Sequence, residues 1–378
     1  MTMTTRRDFI KTLTSAGVAG CIPELGISQP ALNLLKESAT SNLIWANLLH
    51  LSTNMWEDNP YVSDHSLLKD AINAHDVYKD DYKYTNYKEA CAWAMRAYRP
   101  YLINEDKTWD SILKNMSESG MNMVIIDLGD AVKYDSHPEI AIKNAWTIDR
   151  LKAEIQKIRS LGMEPIPKLN FAASHDAWLG EYSRMLSTRQ YYSVCKDLIN
   201  EVIEIFENPR FLHLGMDEET AKHQRRYDYV VIRQNDQWWK DLYFYVDETE
   251  KRGVRPWVWS DDGWRHPELF FKKMPKSVIQ SNWYYDTEFD LSKMSEPSLT
   301  YLKFYDDLEK YGYDQVPTGG NWTNDTNMED TVKYCKRVIN PDRLLGFMTA
   351  PWLPNMDICL GRHLEAIDQI KIAKNKYY

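Results

Sequence analysis

Cysteine is scarce in this 378-residue sequence and is nowhere paired. Beyond Cys21, the four cysteines are Cys91, Cys195, Cys335 and Cys359, and no two of them are close in sequence. Zinc motifs and the disulfide frameworks of small secreted domains both need cysteines at short, repeated spacings. The spacing therefore argues against both, and we expect these four thiols to be free.

The sequence also lacks the signatures of several functional classes. Its net charge of −9 argues against a nucleic acid or an anionic membrane as the main partner. It contains no His-Glu-x-x-His motif and no Gly-x-Ser-x-Gly motif, which argues against a zinc peptidase and a serine hydrolase. After the first twenty residues no apolar run is long enough to cross a bilayer. We expect neither a metal nor another cofactor.

Aromatic residues, in contrast, are abundant. They make up 13% of the chain, with 14 Trp. Indole rings pack against the apolar faces of sugars, and they also fill hydrophobic cores. Composition leaves both uses open, but it draws attention to carbohydrate as a partner.

The first twenty residues predict export. A short basic segment with Arg6 and Arg7 precedes a modest apolar run, which matches the twin-arginine signal. The run ends at Cys21 in a segment that resembles the lipobox of bacterial lipoproteins, although cleavage nearby by an ordinary peptidase is an alternative. We predict a signal peptide at 1–20, a linker at 21–41, and a protein that is periplasmic or anchored to the cell envelope through lipidated Cys21.

From residue 42 to residue 378, short apolar runs alternate with amphipathic helical patterns. Apolar residues recur at three- and four-residue steps through 147–161, 188–207 and 234–252, which is typical of helices with one buried face. Glycines placed to end helices are Gly120, Gly162, Gly253 and Gly312. The eight apolar runs that predict strands are 43–49, 123–126, 165–169, 211–214, 256–259, 278–280, 315–317 and 344–348.

Eight strand–helix units in succession predict either a parallel barrel or an open doubly wound sheet. The count, the length and the lack of a glycine-rich phosphate turn after the first strand favour the barrel. We therefore predict a single-domain α/β protein, a (β/α)8 TIM barrel over 42–378. The first connection, 52–107, is far too long for an ordinary loop. Its many Trp and Tyr residues predict either a wall of a substrate cleft or a cap over apolar surface.

Catalytic groups of such barrels lie where the strands end, and this chain carries acidic and aromatic residues there. Asp217 and Glu218 follow the fourth strand as neighbours. Cleavage of a glycosidic bond needs a proton donor and a second group that meets the positive charge of the transition state, and clustered carboxylates help to keep one of them protonated. The pattern therefore indicates glycoside hydrolysis. Further strand-end residues that we predict to bind substrate are Asp130, Asn170, His175, Trp259, Asp261, Trp283, Tyr284, Asn321 and Trp352.

The segment after the fourth strand resembles a known family. His213-Leu214-Gly215-Met216-Asp217-Glu218 is similar to the His-x-Gly-Gly-Asp-Glu signature of family 20 glycoside hydrolases, the β-N-acetylhexosaminidases. The likeness continues in chain order over about 120–354. Its further matches are Asn122, Leu128 and Asp130 on the second strand, 166–175 on the third, Trp259-Ser260-Asp261 on the fifth, Trp283 on the sixth and Trp352 on the eighth.

This resemblance implies a retaining, substrate-assisted reaction on β-linked N-acetylhexosaminides or related glycans. Glu218 would be the general acid and then the base. Asp217 would orient the 2-acetamido group, whose carbonyl oxygen attacks the anomeric carbon. The resemblance further implies that Asp130, His175 and Asp261 hold the acid or the sugar hydroxyls and that Trp259, Trp283 and Trp352 wall the pocket.

The chain departs from the family's pattern at several positions. The family's first strand supplies an Arg to the sugar hydroxyls, but 43–52 contains none. The family's seventh-strand Tyr-Leu-Asp has no counterpart at 318–323. Asp127 stands where the family has His, and Lys168 and Pro354 stand where it has Glu. The acid–base pair is therefore better matched than the preference for an N-acetylated sugar.

Two alternatives remain open. Within glycosidases, Asp217 could be a covalent nucleophile with Asp286 as the acid, whereas a strand-seven Glu nucleophile is disfavoured because 313–322 contains no Glu. Outside enzymes, the chain could be a non-catalytic glycan-binding lipoprotein that kept the barrel. Acidic residues interpreted as a solvated face are Glu219, Asp241, Glu248 and Glu250.

Overall fold

Eight parallel strands form the centre of the structure. A computed structural model describes residues 43–57, 98–224, 227 and 229–378. The predicted signal peptide, the linker and residues 58–97 of the long first connection lie outside these ranges. The strands are β1 (Ile44–His50), β2 (Met123–Asp127), β3 (Glu164–Lys168), β4 (Phe211–His213), β5 (Arg255–Trp259), β6 (Ile279–Ser281), β7 (Thr318–Gly319) and β8 (Gly346–Thr349).

The strands close into a barrel. Hydrogen-bonded neighbours follow the order β6-β5-β4-β3-β2-β1-β8-β7. Strands β6 and β7 meet through single parallel bridges, Gln280 with Gln315 and Trp283 with Thr318. The seventh strand begins three residues after the start of its predicted run, and the other seven overlap theirs. The predicted (β/α)8 barrel is confirmed, and parallel closure puts the carboxyl ends of all the strands on one rim.

Helices follow the strands and cover the outside of the barrel. The described helices are α1 (Asp106–Glu118), α2 (Ile148–Ser160), α3 (Arg189–Ile205), α4 (Asp236–Glu250), α5 (Asp262–Arg265), α6 (Pro267–Lys273), α7 (Ser298–Lys310), α8 (Asn327–Val338) and α9 (Leu360–Tyr377). The three predicted helices are confirmed as α2, α3 and α4. Gly120, Gly162, Gly253 and Gly312 have φ between 72° and 78°, the left-handed region in which glycine ends helices at little cost.

Alternate residues of each strand face opposite sides of the sheet. In β2, Val124 and Ile126 pack with the helices in the outer core. Met123 and Ile125 pack instead with the inward residues of the other strands, inside the barrel. This alternation continues past the strand ends and decides which rim residues reach the barrel mouth.

The three described cysteines, Cys195, Cys335 and Cys359, are buried thiols outside any disulfide, as predicted. Cys91 lies outside the described residues. Within the described ranges no helix combines the length and apolarity that a bilayer crossing requires.

A row of ionisable side chains closes the interior core on the carboxyl side of the barrel. The strand register pairs His50 with Asp127, Asp127 with Lys168, and Lys168 with His213 across β1 to β4. Each of the four residues is the last of its strand, and all four are buried. They form the floor beneath the candidate site.

The floor holds a buried ion pair between Lys168 and Asp127. Burial alone would raise the pKa of Asp127, but the charge of Lys168 and the contact with His50 together outweigh it and lower the pKa to about 2. Burial lowers the pKa of both His50 and His213, so their imidazoles are neutral at neutral pH. Lys168 and Asp127 are therefore the charged pair of the floor, and each needs the opposite charge of the other to offset the free-energy cost of burial.

Replacement of Lys168 by Met should destabilise the barrel strongly. It leaves Asp127 as an uncompensated buried charge, which typically costs about 3–5 kcal/mol. Because the folded pKa of Asp127 lies below its usual value of 3.8, the pair's contribution is present above pH 3.8 and is lost as the pH falls through about 2. Urea unfolding at pH 7 measures the effect.

The double variant Lys168→Met/Asp127→Asn should recover much of that loss, because it removes both charges. The exposed Lys133→Met is the matched control and should change the free energy of unfolding by less than about 0.5 kcal/mol. A Lys168→Met variant as stable as the Lys133→Met control would show that buried Asp127 does not need the charge of Lys168.

Candidate active site

A strained turn after β4 brings Asp217 and Glu218 onto the rim. Gly215, Met216 and Glu218 have φ of 72°, 74° and 53°. A left-handed conformation costs a non-glycine residue about 1–3 kcal/mol. At Gly215 a Cβ atom would lie 1.9 Å from Asn170 Oδ1, so only glycine permits this approach. The backbone strain is located where the two acidic side chains emerge.

Asp217 is almost fully buried and is held by residues that follow β3. Only 4% of the residue is exposed. Asn170 Nδ2 donates a hydrogen bond to Asp217 Oδ1 at 2.9 Å, and Ser174 Oγ donates to the main-chain oxygen at 3.1 Å. Within the described residues Asp217 Oδ2 receives no hydrogen bond, which leaves it available to accept one from a ligand.

His175 lies between the two carboxylates. Its Nδ1 is 3.7 Å from Asp217 Oδ1, and its Nε2 is 3.4 Å from Glu218 Oε2. Burial alone would lower the pKa of His175, but the charge of Asp217 and the contact with Glu218 outweigh it and raise the pKa to about 8. The imidazole is therefore a cation at neutral pH and offsets the negative charge of the pair.

Glu218 is more accessible than Asp217, with 27% of its side chain exposed. Its main-chain N–H donates to Asp261 Oδ2 at 2.9 Å. Its Oε1 is 3.4 Å from Nε2 of His223, a residue that the sequence analysis did not identify. A single histidine in a connection carries no recognisable spacing, so the contact emerges only from the fold.

Asp261 lies directly behind Glu218 and is fully buried. Burial raises the pKa of its carboxyl group, with a further contribution from the charge of Asp217. Asp261 Oδ1 has no hydrogen-bond partner within the described residues. Asp261 therefore fixes the Glu218 main chain through one oxygen and keeps the other free.

Indole rings form the walls around these groups. Trp259 and Trp352 have ring centroids 6.0 Å apart, and Trp283 packs against the same interior cluster. Trp56 of the first connection meets His175 edge-on at 5.6 Å and Trp352 at 6.2 Å. The start of the long connection thus reaches the same group of aromatic rings.

The side chains of Tyr284 and Tyr285 go to different surroundings. The Tyr284 hydroxyl donates to the main-chain oxygen of Glu288 at 2.8 Å, and its ring packs in the outer core. The Tyr285 hydroxyl accepts a hydrogen bond from Trp352 Nε1 at 2.8 Å. The side chain of Tyr284, which was predicted to bind substrate, is therefore turned away from the site. The side chain of Tyr285, which was not predicted, faces the site.

Two other predicted residues are also engaged elsewhere. Asp130 accepts hydrogen bonds from Ser52 Oγ and Asn54 Nδ2, both at 2.7 Å, and so fastens the start of the first connection. Asn321 donates to the main-chain oxygen of Arg362 on α9 at 2.8 Å. Of the predicted residues, those that the structure brings together are Asp217, Glu218, Asn170, His175, Asp261, Trp259, Trp283 and Trp352.

The interpretation of Glu219 and Asp241 as solvated residues is wrong. Arg233 is buried with both of them, its Nη2 2.7 Å from Glu219 Oε2 and its Nη1 3.3 Å from Asp241 Oδ2. Glu248 is buried as well, at 8% exposed. A buried carboxylate needs a cationic partner. Arg233, the partner here, lies 14 residues from Glu219, and that spacing has no signature in sequence. The cluster holds the connection after β4 behind the candidate acid.

The groups that converge on the site suit proton transfer. The cationic imidazole of His175 lies within 4 Å of both the buried carboxylate of Asp217 and the accessible carboxylate of Glu218. Together with the indole walls they fit the binding of a sugar ring and the protonation of an oxygen on it. No group of three or more His, Cys, Asp or Glu side chains in the described ranges is arranged to hold a metal ion.

The sequence matches no family profile and no curated protein, but solved structures share its fold. One is the GH20 exo-β-N-acetylglucosaminidase of Vibrio harveyi in complex with N-acetylglucosamine, with a TM-score of 0.50, 14% identity, and coverage of 73% of this chain and 55% of that one. Another is a β-N-acetylhexosaminidase of Bacteroides fragilis NCTC 9343, with a TM-score of 0.50, 12% identity, and coverage of 87% and 65%. This chain therefore spans less than two thirds of either structure.

The cationic state of His175 can be measured directly. NMR titration of the histidine rings should give His175 a midpoint near pH 8. Because this pKa lies above the usual 6.5, the stability that the protonated imidazole contributes is complete below pH 6.5 and is lost as the pH rises through about 8. In Asp217→Asn the midpoint should fall, since one of the two raising charges is removed.

The control for this titration is Asp197→Asn, which removes a surface carboxylate from beside His137. It should leave the His175 midpoint unchanged. A wild-type midpoint at or below 6.5 would contradict the charge balance of the site.

Proposed function

We propose that the chain is a glycoside hydrolase that acts on β-linked hexosaminides by a retaining, substrate-assisted mechanism. The observation that carries this proposal is the sharing of His175 by two adjacent carboxylates, one buried and one accessible, next to a cluster of indole rings. The accessible carboxyl of Glu218 suits an acid that must reach a glycosidic oxygen. The buried Asp217 suits a fixed acceptor beside the same sugar.

In the first step Glu218 donates its proton to the glycosidic oxygen as the bond to the anomeric carbon breaks. The carbonyl oxygen of the 2-acetamido group forms the new bond to that carbon, which gives a cyclic intermediate. Asp217 accepts a hydrogen bond from the acetamido N–H and stabilises the positive charge that develops there. The cationic His175 stabilises the carboxylate that Glu218 has become.

In the second step Glu218 takes a proton from water. The resulting hydroxide-like oxygen bonds to the anomeric carbon, the carbonyl oxygen leaves, and the acetamido group is regenerated. Two successive inversions at the anomeric carbon give net retention. Glu218 ends the cycle protonated.

The covalent alternative with Asp286 as the acid has less support. Asp286 is exposed, and its carboxylate accepts a hydrogen bond from Ser298 Oγ at 3.4 Å. No contact joins it to Asp217, Glu218 or His175 within the described residues. A nucleophile supplied by the substrate therefore agrees better with the arrangement of the site.

The names of the structurally similar proteins agree with this substrate class, since one is called an exo-β-N-acetylglucosaminidase and the other a β-N-acetylhexosaminidase. At 12–14% identity the likeness concerns the fold, so the activity is proposed from the site. We further propose that the twin-arginine segment exports the protein, which is then either periplasmic or anchored to the envelope through Cys21.

Glu218→Gln should abolish hydrolysis while leaving the pocket able to bind sugar. An amide cannot donate the proton to the leaving oxygen, so kcat on an aryl β-N-acetylhexosaminide should fall by a factor of about 10²–10⁴. Calorimetry with N-acetylglucosamine should give an affinity close to that of the wild type. The control Glu118→Gln lies on the exposed end of α1 and should keep full activity.

The same assay should include N-acetylglucosaminide, N-acetylgalactosaminide and the corresponding plain hexosides. Release from plain hexosides alone would rule out substrate assistance. Sugar binding by the wild type without turnover on any of these glycosides would favour the alternative, a glycan-binding lipoprotein. Full activity of Glu218→Gln would remove Glu218 as the acid.

A further inference from the structure

His223 lies on the rim beside the candidate acid, and the mechanism above gives it no role. Its Nε2 is 3.4 Å from Oε1 of Glu218. The two side chains are 33% and 27% exposed, so they meet at the mouth of the site rather than in its interior. A contact of this length can tighten into a hydrogen bond when substrate fills the site. The ring is therefore placed to act on Glu218.

The backbone that carries His223 is held in a turn. The main-chain N–H of His223 donates to the main-chain oxygen of Thr220 at 3.1 Å, and that of Gln224 donates to Ala221 at 3.2 Å. The buried side chain of Gln224 donates through Nε2 to the main-chain oxygen of Ala173 at 2.8 Å. This bond ties the turn to the segment after β3. His223 thus approaches the acid from an anchored position.

The partners of the imidazole assign its tautomer. A carboxylate only accepts hydrogen bonds, so Nε2, which faces Glu218, must carry the proton. In the neutral ring Nδ1 is then an acceptor, and it lies 2.8 Å from Thr220 Oγ1. The Thr220 oxygen receives the main-chain N–H of His223 at 3.4 Å, and its own proton is directed to Nδ1. Thr220 therefore holds the ring with its N–H toward the acid.

The charges around His223 keep the ring neutral. Burial lowers the pKa of the imidazole, and the positive charges of His175 and Arg265 lower it further. The negative charges of Glu218 and Asp217 raise it, but the net pKa stays below the usual 6.5. At neutral pH the ring therefore offers Glu218 a hydrogen bond without placing a second cation beside His175.

We propose that His223 is a positioning residue that donates a hydrogen bond from Nε2 to Oε1 of Glu218, and that Thr220 keeps the ring in the tautomer that permits it. The proposal rests on the proposed function. His175 faces Oε2 of the same carboxyl group, so each oxygen has its own imidazole. The two rings fix the carboxyl plane, and both stabilise the carboxylate that remains after proton donation.

Replacement of the ring tests this role. His223→Phe should lower kcat on an aryl β-N-acetylhexosaminide about tenfold. It should change KM less than about threefold, because the ring acts on the acid rather than on the sugar. Since a donor to the charged form is lost, the basic limb of the kcat/KM profile should move up by at least about 0.5 pH unit.

Two further variants separate this role from a structural one. His223→Gln carries an amide N–H that can reach the same oxygen, and it should keep most of the wild-type kcat and basic limb. His137→Phe removes a histidine that contacts Asp197 and Glu139 away from the site, and it should match the wild type. Wild-type kcat and pH profile in His223→Phe, or equal losses in His223→Gln, would overturn the proposal and leave Glu218 as the acid.

Thr220→Val tests the tautomer. Without the hydroxyl group, Nδ1 loses its donor and Nε2 no longer carries the proton at all times, so kcat should fall at least about threefold. In a His223→Phe background the same change should cause no further loss, because Thr220 acts through the ring. Additive losses would overturn the part that the proposal gives to Thr220.

NMR titration of the His223 ring gives a readout that does not depend on turnover. The wild-type midpoint should lie below 6.5, and Glu218→Gln should lower it further, because it removes a charge that raises the pKa. A midpoint that Glu218→Gln leaves unchanged would overturn the contact. A wild type that turns over no glycoside would instead overturn the hydrolase proposal, and the titration would still decide whether His223 and Glu218 are in contact.

Discussion

Two neighbouring carboxylates in a mostly buried pocket need a nearby positive charge, and the site is organised around that need. A buried anion without a partner is expensive, and Asp217 is only 4% exposed. His175 supplies the charge to both carboxylates, and they in turn keep it protonated. The turn after β4, with its left-handed residues, carries Asp217 and Glu218 to His175, which follows β3. In the proposed mechanism the cationic His175 stabilises the anionic form of Glu218 that follows proton donation.

Two of the positions at which the sequence departs from the family 20 pattern lie in the floor. Asp127 stands where that pattern has a His and Lys168 stands where it has a Glu, and the structure joins the two side chains in one buried ion pair. Taken separately, each replacement reads as the decay of an active site. Taken together, they carry opposite charges that offset each other in the floor. The imidazoles of His50 and His213 on either side of the pair are neutral, so the floor adds no net charge to the carboxylates above it.

Much of the fold could be read from the sequence because its signals are local. Apolar runs, helical periodicity and glycines after helices depend on neighbours within a few residues, and all eight strands and the predicted helices appear in order. The site was less predictable, because neighbouring residues at the end of a strand face opposite sides of the sheet. Tyr284 and Tyr285 are adjacent and identical in type, yet only Tyr285 faces the site. Partners without a recognisable spacing, such as Arg233 for Glu219 and His223 for Glu218, left no pattern to detect.

The most direct measurement of this account is a crystal structure of the wild-type chain with N-acetylglucosamine bound. The account predicts the sugar on the carboxyl rim of the barrel, with its anomeric oxygen within hydrogen-bond distance of Glu218 and its amide N–H within hydrogen-bond distance of Asp217 Oδ2. A sugar bound away from this rim, or with its amide turned from Asp217, would contradict it.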